Sequence, residues 1–202
     1  MVTIIHENPI GMRPDWDESF MSLAIENSSR SSCWFVRSGS LFVQNNQVMA
    51  SGYNGASARH KENCLEGGCM KEKEGLVYEE SLNSGHCIGI HSEMNGLGHL
   101  SKMSSNKMTL YTTIFPCVSC AKNLEPYPIH RIVFKKQYLD SEYNQALKSL
   151  ENLGIEVCQL DLSLKRHWDI SIYRQWKKRD IWSDEEIKKG KNIITHWDDL
   201  FK

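Results

Sequence analysis

The chain is expected to fold as an α/β layered domain, and three observations carry this expectation. From His91 onward, short apolar runs alternate with stretches of helical periodicity, the pattern of strands feeding helices. Upstream, residues 41–53 carry a hairpin pattern. The composition, 40% hydrophobic and 24% charged over 202 residues, suits one ordinary globular core with an appendage.

Each element has a local cause. Residues 15–27 read as a helix, because Asp15 and Glu18 stand at capping-box spacing behind Pro14. Trp16, Phe20, Leu23 and Ala24 then recur at helical spacing. Residues 41–43 and 48–53 read as two strands around a polar turn at 44–47, and Gly52, Tyr53, Asn54 and Gly55 mark a tight loop after them. Residues 57–88 are polar, cysteine-bearing and without clear periodicity, with Gly67 and Gly68 adjacent. A loop of that length inside a compact domain is usually functional or braced by metal. A helix follows at about 92–100, a strand at 108–114 and a helix from near Cys117. A strand at 131–134, a helix at about 141–152 stopped before Gly154, and a strand at 155–160 complete the alternation.

Residues 163–202 differ in composition. They hold Trp168, Trp176, Trp182 and Trp197, with ten Lys or Arg against seven Asp or Glu, and Ser183 with Glu186 repeats the capping-box spacing. The expected division is a domain over 1–162 and a Trp-rich extension over 163–202, helical and packed on that domain.

Bulk properties narrow the function. The formal net charge is −1, so there is no broad basic footprint for a long nucleic acid, and phosphate recognition would be local. No apolar run approaches a membrane span, and residues 1–14 lack the apolar region of a signal peptide. Seven cysteines, an odd number, read as metal ligands in a reducing compartment before they read as disulfides. A cytoplasmic location is the expectation.

The strongest motif is His91-Ser92-Glu93 followed by Pro116-Cys117-Val118-Ser119-Cys120. One imidazole and two thiolates form a three-ligand zinc site that leaves the fourth position for water. Cys117 and Cys120 project from one side of a helix start, whose partial positive charge favours thiolates. Glu93 is two residues from His91, so it points to another face and is a poor ligand but a good neighbour of the water. Its expected role is proton shuttle in a hydrolytic deamination, the chemistry associated with this motif. A purely structural zinc ribbon is the competing reading; it would normally be closed by a second ligand pair, and none stands beside this set.

Further segments carry a resemblance: residues 13–21 with Arg13-Pro14-Asp15-Trp16, the run Ser51-Gly52-Tyr53-Asn54-Gly55-Ala56, residues 110–117 entering the second motif, and residues 131–157. Over about residues 13–160 the chain resembles the deoxycytidylate deaminase family of the cytidine deaminase-like superfamily. The resemblance implies a three-layer α/β/α sandwich with a mixed central sheet. It implies His91, Cys117 and Cys120 on catalytic zinc, Glu93 as the catalytic residue, and nucleotide contacts from Asn54 and its neighbours Tyr53 and Gly55. Phe115 is expected mostly in the core, with one side toward the base. Deoxycytidylate (dCMP) is the implied substrate, deoxyuridylate (dUMP) and ammonia the products. A homo-oligomer, specifically a hexamer, with dCTP and dTTP as regulators is also implied. The sequence departs from the family at Ser38-Gly39-Ser40, where Val-Gly-Ala is common, at Ser57 in place of proline, and at Met94 and Gly96.

Cys33, Cys64, Cys69 and Cys87 remain, three of them in or beside the 57–88 loop. The resemblance places zinc-binding cysteines at Cys33 and Cys64; Cys69 and Cys87 would complete a four-sulfur structural zinc site, with His86 in reserve. Free, partly buried thiols are the alternative. Cys158 reads as a small buried hydrophobe, and His6, His99, His130, His167 and His196 as surface or core histidines. Three other functions stay open: deamination of another cytosine nucleotide or nucleoside, editing of single-stranded nucleic acid through the extension, and an inactive zinc-braced binding protein. The free carboxylate of Glu93 argues against the last.

Overall fold

Six segments rich in β-branched and aromatic residues pair into one mixed sheet in the computed structural model, which describes residues 1–57, 59–75, 87–100, 107–137 and 140–173. The strands are β1 (Thr3–His6), β2 (Gly39–Gln44), β3 (Gln47–Tyr53), β6 (Met108–Ile114), β7 (Ile129–Lys136) and β8 (Glu156–Asp161), in the order β1-β8-β7-β6-β2-β3. The first four in that order run parallel; β2 pairs antiparallel with both β6 and β3. Asn45 and Asn46 close the β2–β3 hairpin with positive φ, the backbone such a tight turn requires. A two-residue ladder, β4 (Gly55–Ala56) with β5 (Gly89–Ile90), stands apart.

Helices cover both faces, so the expected three-layer α/β/α sandwich with a mixed sheet is the observed architecture. The helix α1 (Trp16–Ser28) lies on one face, where Leu41, Val43, Tyr111, Val133, Cys158 and Leu160 meet Phe20, Met21 and Ala24. Alternate residues Phe42, Leu110, Ile132, Phe134 and Val157 point to the other face. There they pack with α5 (Val118–Leu124) and α6 (Asp140–Asn152), the crossovers between parallel strands. The helix α4 (Ser92–Gly98) lies on β3 and β2 on that same side and also meets α5.

Three details differ from expectation. The buried side of α1 is Phe20, Met21 and Ala24, while Trp16 and Leu23 are exposed. Trp16 sits at the helix start and stacks on Phe20 with centroids 5.5 Å apart instead of entering the core. The strand β1 was not expected, because it is an edge strand whose short sequence lacks a buried alternation. The 57–88 segment holds two single helical turns among its described residues, α2 (Cys64–Gly67) and α3 (Met70–Lys73).

Residues 163–173 pack tightly against the N-terminal segment. The helix α7 (Leu164–Trp168) is capped by Ser163, whose backbone N–H and hydroxyl both donate to Glu7. A turn of π-helix, Asp169–Tyr173, follows. Arg166, fully buried, donates to both carboxylate oxygens of Glu18 at 2.7 and 2.9 Å and to Asp169 at 2.5 Å. Trp168 lies here; Trp176, Trp182, Trp197 and the Ser183–Glu186 pair lie outside the described residues.

Candidate active site

Two helix starts meet on the face shared by α4, α5 and α6. His91 is the N-cap of α4 and Cys117 the N-cap of α5, both in extended backbone, so their side chains lean back over the first turns. Cys120, one turn on, returns toward Cys117 and donates its backbone N–H to the Cys117 sulfur at 3.4 Å. His91 Nδ1 lies 3.3 Å from Cys120 Sγ and 3.5 Å from Cys117 Sγ, and the three donor atoms all fall within 4.8 Å of one another. Tetrahedral zinc, with bonds of about 2.1 Å to nitrogen and 2.3 Å to sulfur, needs such donors roughly 3.5 Å apart. The donor set and its spacing fit that ion.

The three groups also shift one another's proton affinities. The Cys117 thiol is held well below its usual range, first by the hydrogen bond from Cys120 and then by His91. Cys120 is pushed up because its proton serves that same hydrogen bond. His91 is raised by its hydrogen bond to Cys117. The three groups crowd one cradle, and a divalent cation bound there would displace their protons.

Glu93 lies in the first turn of α4, only 4% exposed. Burial pushes its carboxyl above the ordinary range, against the pull of His91. Ser92 donates a hydroxyl bond to Glu93 Oε2 at 3.1 Å, Ser38 and Ser92 hydroxyls lie 2.8 Å apart, and Thr113 donates to Ser38 at 3.4 Å. Motif reasoning missed this hydroxyl chain. Its signal was the polar Ser38-Gly39-Ser40 entering a strand that is buried throughout.

One cavity joins these groups. Its lining includes His91, Ser92, Glu93 and Cys117 together with Asn54, Gly55, Phe115 and Phe35. Asn54 braces the approach: its side-chain oxygen accepts from Ser38 N–H and its amide donates to the Val36 carbonyl, both at 2.7 Å. Gly55 joins Ile90 in the small ladder, which ties the loop to the residue before His91. Phe115 is buried against Phe134 and Tyr143 with one edge on the cavity. Tyr53 is not in the lining; its carbonyl accepts from Asn95. Cys33, Cys64, Cys69 and Cys87 also line the cavity, and burial, then the sulfurs of Cys33, Cys69 and Cys87, raise the Cys64 thiol. His86 lies outside the described residues. Lys71, which sequence reasoning passed over, lines it too; no motif marks a lysine in a single helical turn.

Known proteins resemble this chain in sequence and fold. A deoxycytidylate deaminase of Saccharomyces cerevisiae is 35% identical over 153 residues, 75% of this chain and 47% of that protein. One of Mycobacterium phage D29 is 32% identical over 128 residues, 62% of this chain and 98% of that protein. The chain spans about half the length of its yeast relatives. The dCMP deaminase of cyanophage S-TIM5, solved with dCMP and dUMP, superposes with a TM-score of 0.59 at 24% identity, covering 73% of this chain and 98% of that one; it shares the fold. The model for the zinc-binding region of cytidine and deoxycytidylate deaminases matches residues 14–136, more than half of the chain and the whole stretch from α1 through β7. With the His91, Cys117 and Cys120 cradle inside that match, the chain belongs to the zinc-binding cytidine and deoxycytidylate deaminase family.

Proposed function

We propose that this chain deaminates dCMP hydrolytically to dUMP, releasing ammonia. The observation that carries the reading is the buried Glu93 carboxylate beside a His91, Cys117 and Cys120 cradle at the floor of one cavity. Zinc held by those three residues would acidify a water molecule there. Glu93 takes the proton of the attacking water, delivers it to the ring nitrogen beside the amine-bearing carbon, and later protonates the departing amine. Its raised affinity for a proton suits an acid as well as a base. The curated relatives named as deoxycytidylate deaminases, and the phage enzyme solved with dCMP and dUMP, support the choice of substrate. Asn54, Gly55 and Phe115 are the proposed substrate contacts, with Tyr53 acting through its backbone. Ammonia release across dCMP, CMP, deoxycytidine, dCTP and single-stranded DNA tests the reading. The highest kcat/KM is expected for dCMP; equal use of the nucleoside, or better use of DNA, would overturn it.

The proposed metal content is two zinc ions per chain, the second held by Cys33, Cys64, Cys69 and Cys87. All four line the same cavity, which supports it, although among the described residues only His91, Cys117 and Cys120 bring three or more donor atoms within 4.8 Å of one another. Elemental analysis should find two zinc per chain, falling to one in the Cys64→Ser, Cys69→Ser double variant; one zinc in both would refute the structural site. A homo-oligomer, a hexamer, tuned by dCTP and dTTP rests on the family resemblance. It predicts a sigmoidal rate curve that dCTP renders hyperbolic. No helix among the described residues is long and apolar enough to cross a membrane, which is compatible with the proposed cytoplasmic location.

A further inference from the structure

One wall of the cavity carries a cation that the chemistry above does not use. Lys71, in the single turn α3, is only 5% exposed and lines the same space as His91, Glu93, Asn54 and Phe115. Among the described lining residues it is the one lysine or arginine. Lysine is seldom buried, because removing an ammonium from water costs several kcal/mol unless anionic or hydrogen-bonding groups offset it. The reacting end of the cavity is acidic: Glu93 and Cys117 line it, and Cys120 lies beside Cys117. A substrate that carries its own negative charge is repelled at that end and needs a positive group elsewhere on the wall.

We propose that the Lys71 ammonium binds the phosphate of the nucleotide and makes the site selective for a monophosphate over its nucleoside. The proposal rests on the reading of the site as a cytosine nucleotide deaminase. Lysine presents three N–H donors, so two can reach phosphate oxygens beside a protein acceptor. The chain also positions it. Asn63 caps α2 by accepting from the backbone N–H groups of Leu65 and Glu66, and Cys64 and Cys69, both buried, anchor the segment on either side of Gly67 and Gly68. The cation is therefore held in the wall by the same short segment that carries two of the cavity's cysteines.

The test uses the full chain as wild type, Lys71→Arg and Lys71→Met. Calorimetry measures dUMP against deoxyuridine, kinetics compare dCMP with deoxycytidine, and zinc is counted in each protein. Lys71→Met should weaken dUMP binding and raise KM for dCMP by roughly tenfold to a hundredfold, the worth of one charge-assisted hydrogen bond. Deoxyuridine binding, deoxycytidine turnover, kcat and zinc content should stay as in wild type, and Lys71→Arg should recover most of the loss. Equal losses on nucleotide and nucleoside, or loss of zinc, would make Lys71 a counter-charge to the cysteines and overturn the proposal; so would an unchanged preference for dCMP. Should the wild type deaminate no cytosine compound yet bind dUMP through Lys71, the function falls and the phosphate contact stands. Should it deaminate dCMP with no selective loss in the variants, the reverse holds.

Discussion

Glu93 holds a carboxyl group almost away from water, with a serine hydroxyl on one oxygen and a metal cradle beside it. Its neighbours include Ser92, His91 and Cys117, and its proton affinity is raised by burial. Glu93→Gln keeps the shape and removes the proton carrier. Turnover of dCMP should fall by at least about a thousandfold while zinc content and unfolding temperature hold. Loss of zinc with the activity would make Glu93 a ligand and not a shuttle. At this scale the sequence was legible wherever chemistry dictates spacing, as in His91-Ser92-Glu93 and Cys117-Val118-Ser119-Cys120. It was silent where tertiary packing alone creates the contact. Ser38, Thr113 and Lys71 come to the site from three separate segments, and no local pattern announces them.

The helix α4 brings Glu93 to the site, and its seating is a matter of backbone clearance. A Cβ at Gly52 in β3 would stand 2.1 Å from the Ser92 carbonyl and 2.3 Å from Gly96 N; one at Gly96 would stand 2.6 Å from the Phe42 ring. Both contacts need glycine for room, not for unusual φ. The departure from the family at Gly96 thus has a partner in the large Phe42 ring beneath it. Gly52→Ala should cost about 2–3 kcal/mol, roughly 5–10 °C in unfolding temperature. It should also lower kcat, since the helix that lifts off carries Glu93, the proposed shuttle; calorimetric melting with an ammonia assay reads both. The capping box of α1 was legible and is formed, with Asp15 accepting from Glu18 N–H and Glu18 from Asp15 N–H. Which side of α1 is buried was not, because Trp16 and Leu23 are as apolar as the residues that won the core, and only the sheet decides between them.

Across the whole molecule, Arg166 joins segments about 150 residues apart. Its guanidinium also donates to the carbonyls of Pro9 and Met12. Burial would raise the Glu18 carboxyl, but bonds from Arg166 and Asn8 outweigh it and hold it at about 2. Beside this pair, His167 Nδ1 meets the Ser22 hydroxyl at 2.5 Å and Nε2 lies 3.1 Å from Glu26. Burial keeps this imidazole below its ordinary value despite Glu26, and Lys135 adds to the effect. The two groups set two windows. The unfolded chain protonates histidine first, so His167 withdraws stability as pH falls below 6.5. Glu18 contributes fully above its ordinary 4.5 and its share is lost as pH falls toward 2. Urea midpoints followed from pH 7 to 3 should decline in both windows, and His167→Asn should flatten the upper one alone. Arg166→Met strands two buried carboxylates and should cost about 3–5 kcal/mol at neutral pH.

The edge strand β1 has a consequence in time. Thr3 pairs with Cys158 and His6 with Asp161, so β1 finds its partner only after about 155 further residues. At roughly 5–20 residues per second, synthesis of that span takes on the order of 8–30 s. Through that interval the first strand has no ladder to join, while the β2–β3 hairpin can close as soon as it is made. The sheet therefore grows from its β3 edge across to β8 as successive strands are made. The seam between β1 and β8 is sewn last, and a ribosome stalled before residue 158 would hold a chain in which His91, Cys117 and Cys120 are already made but β1 is still unpaired.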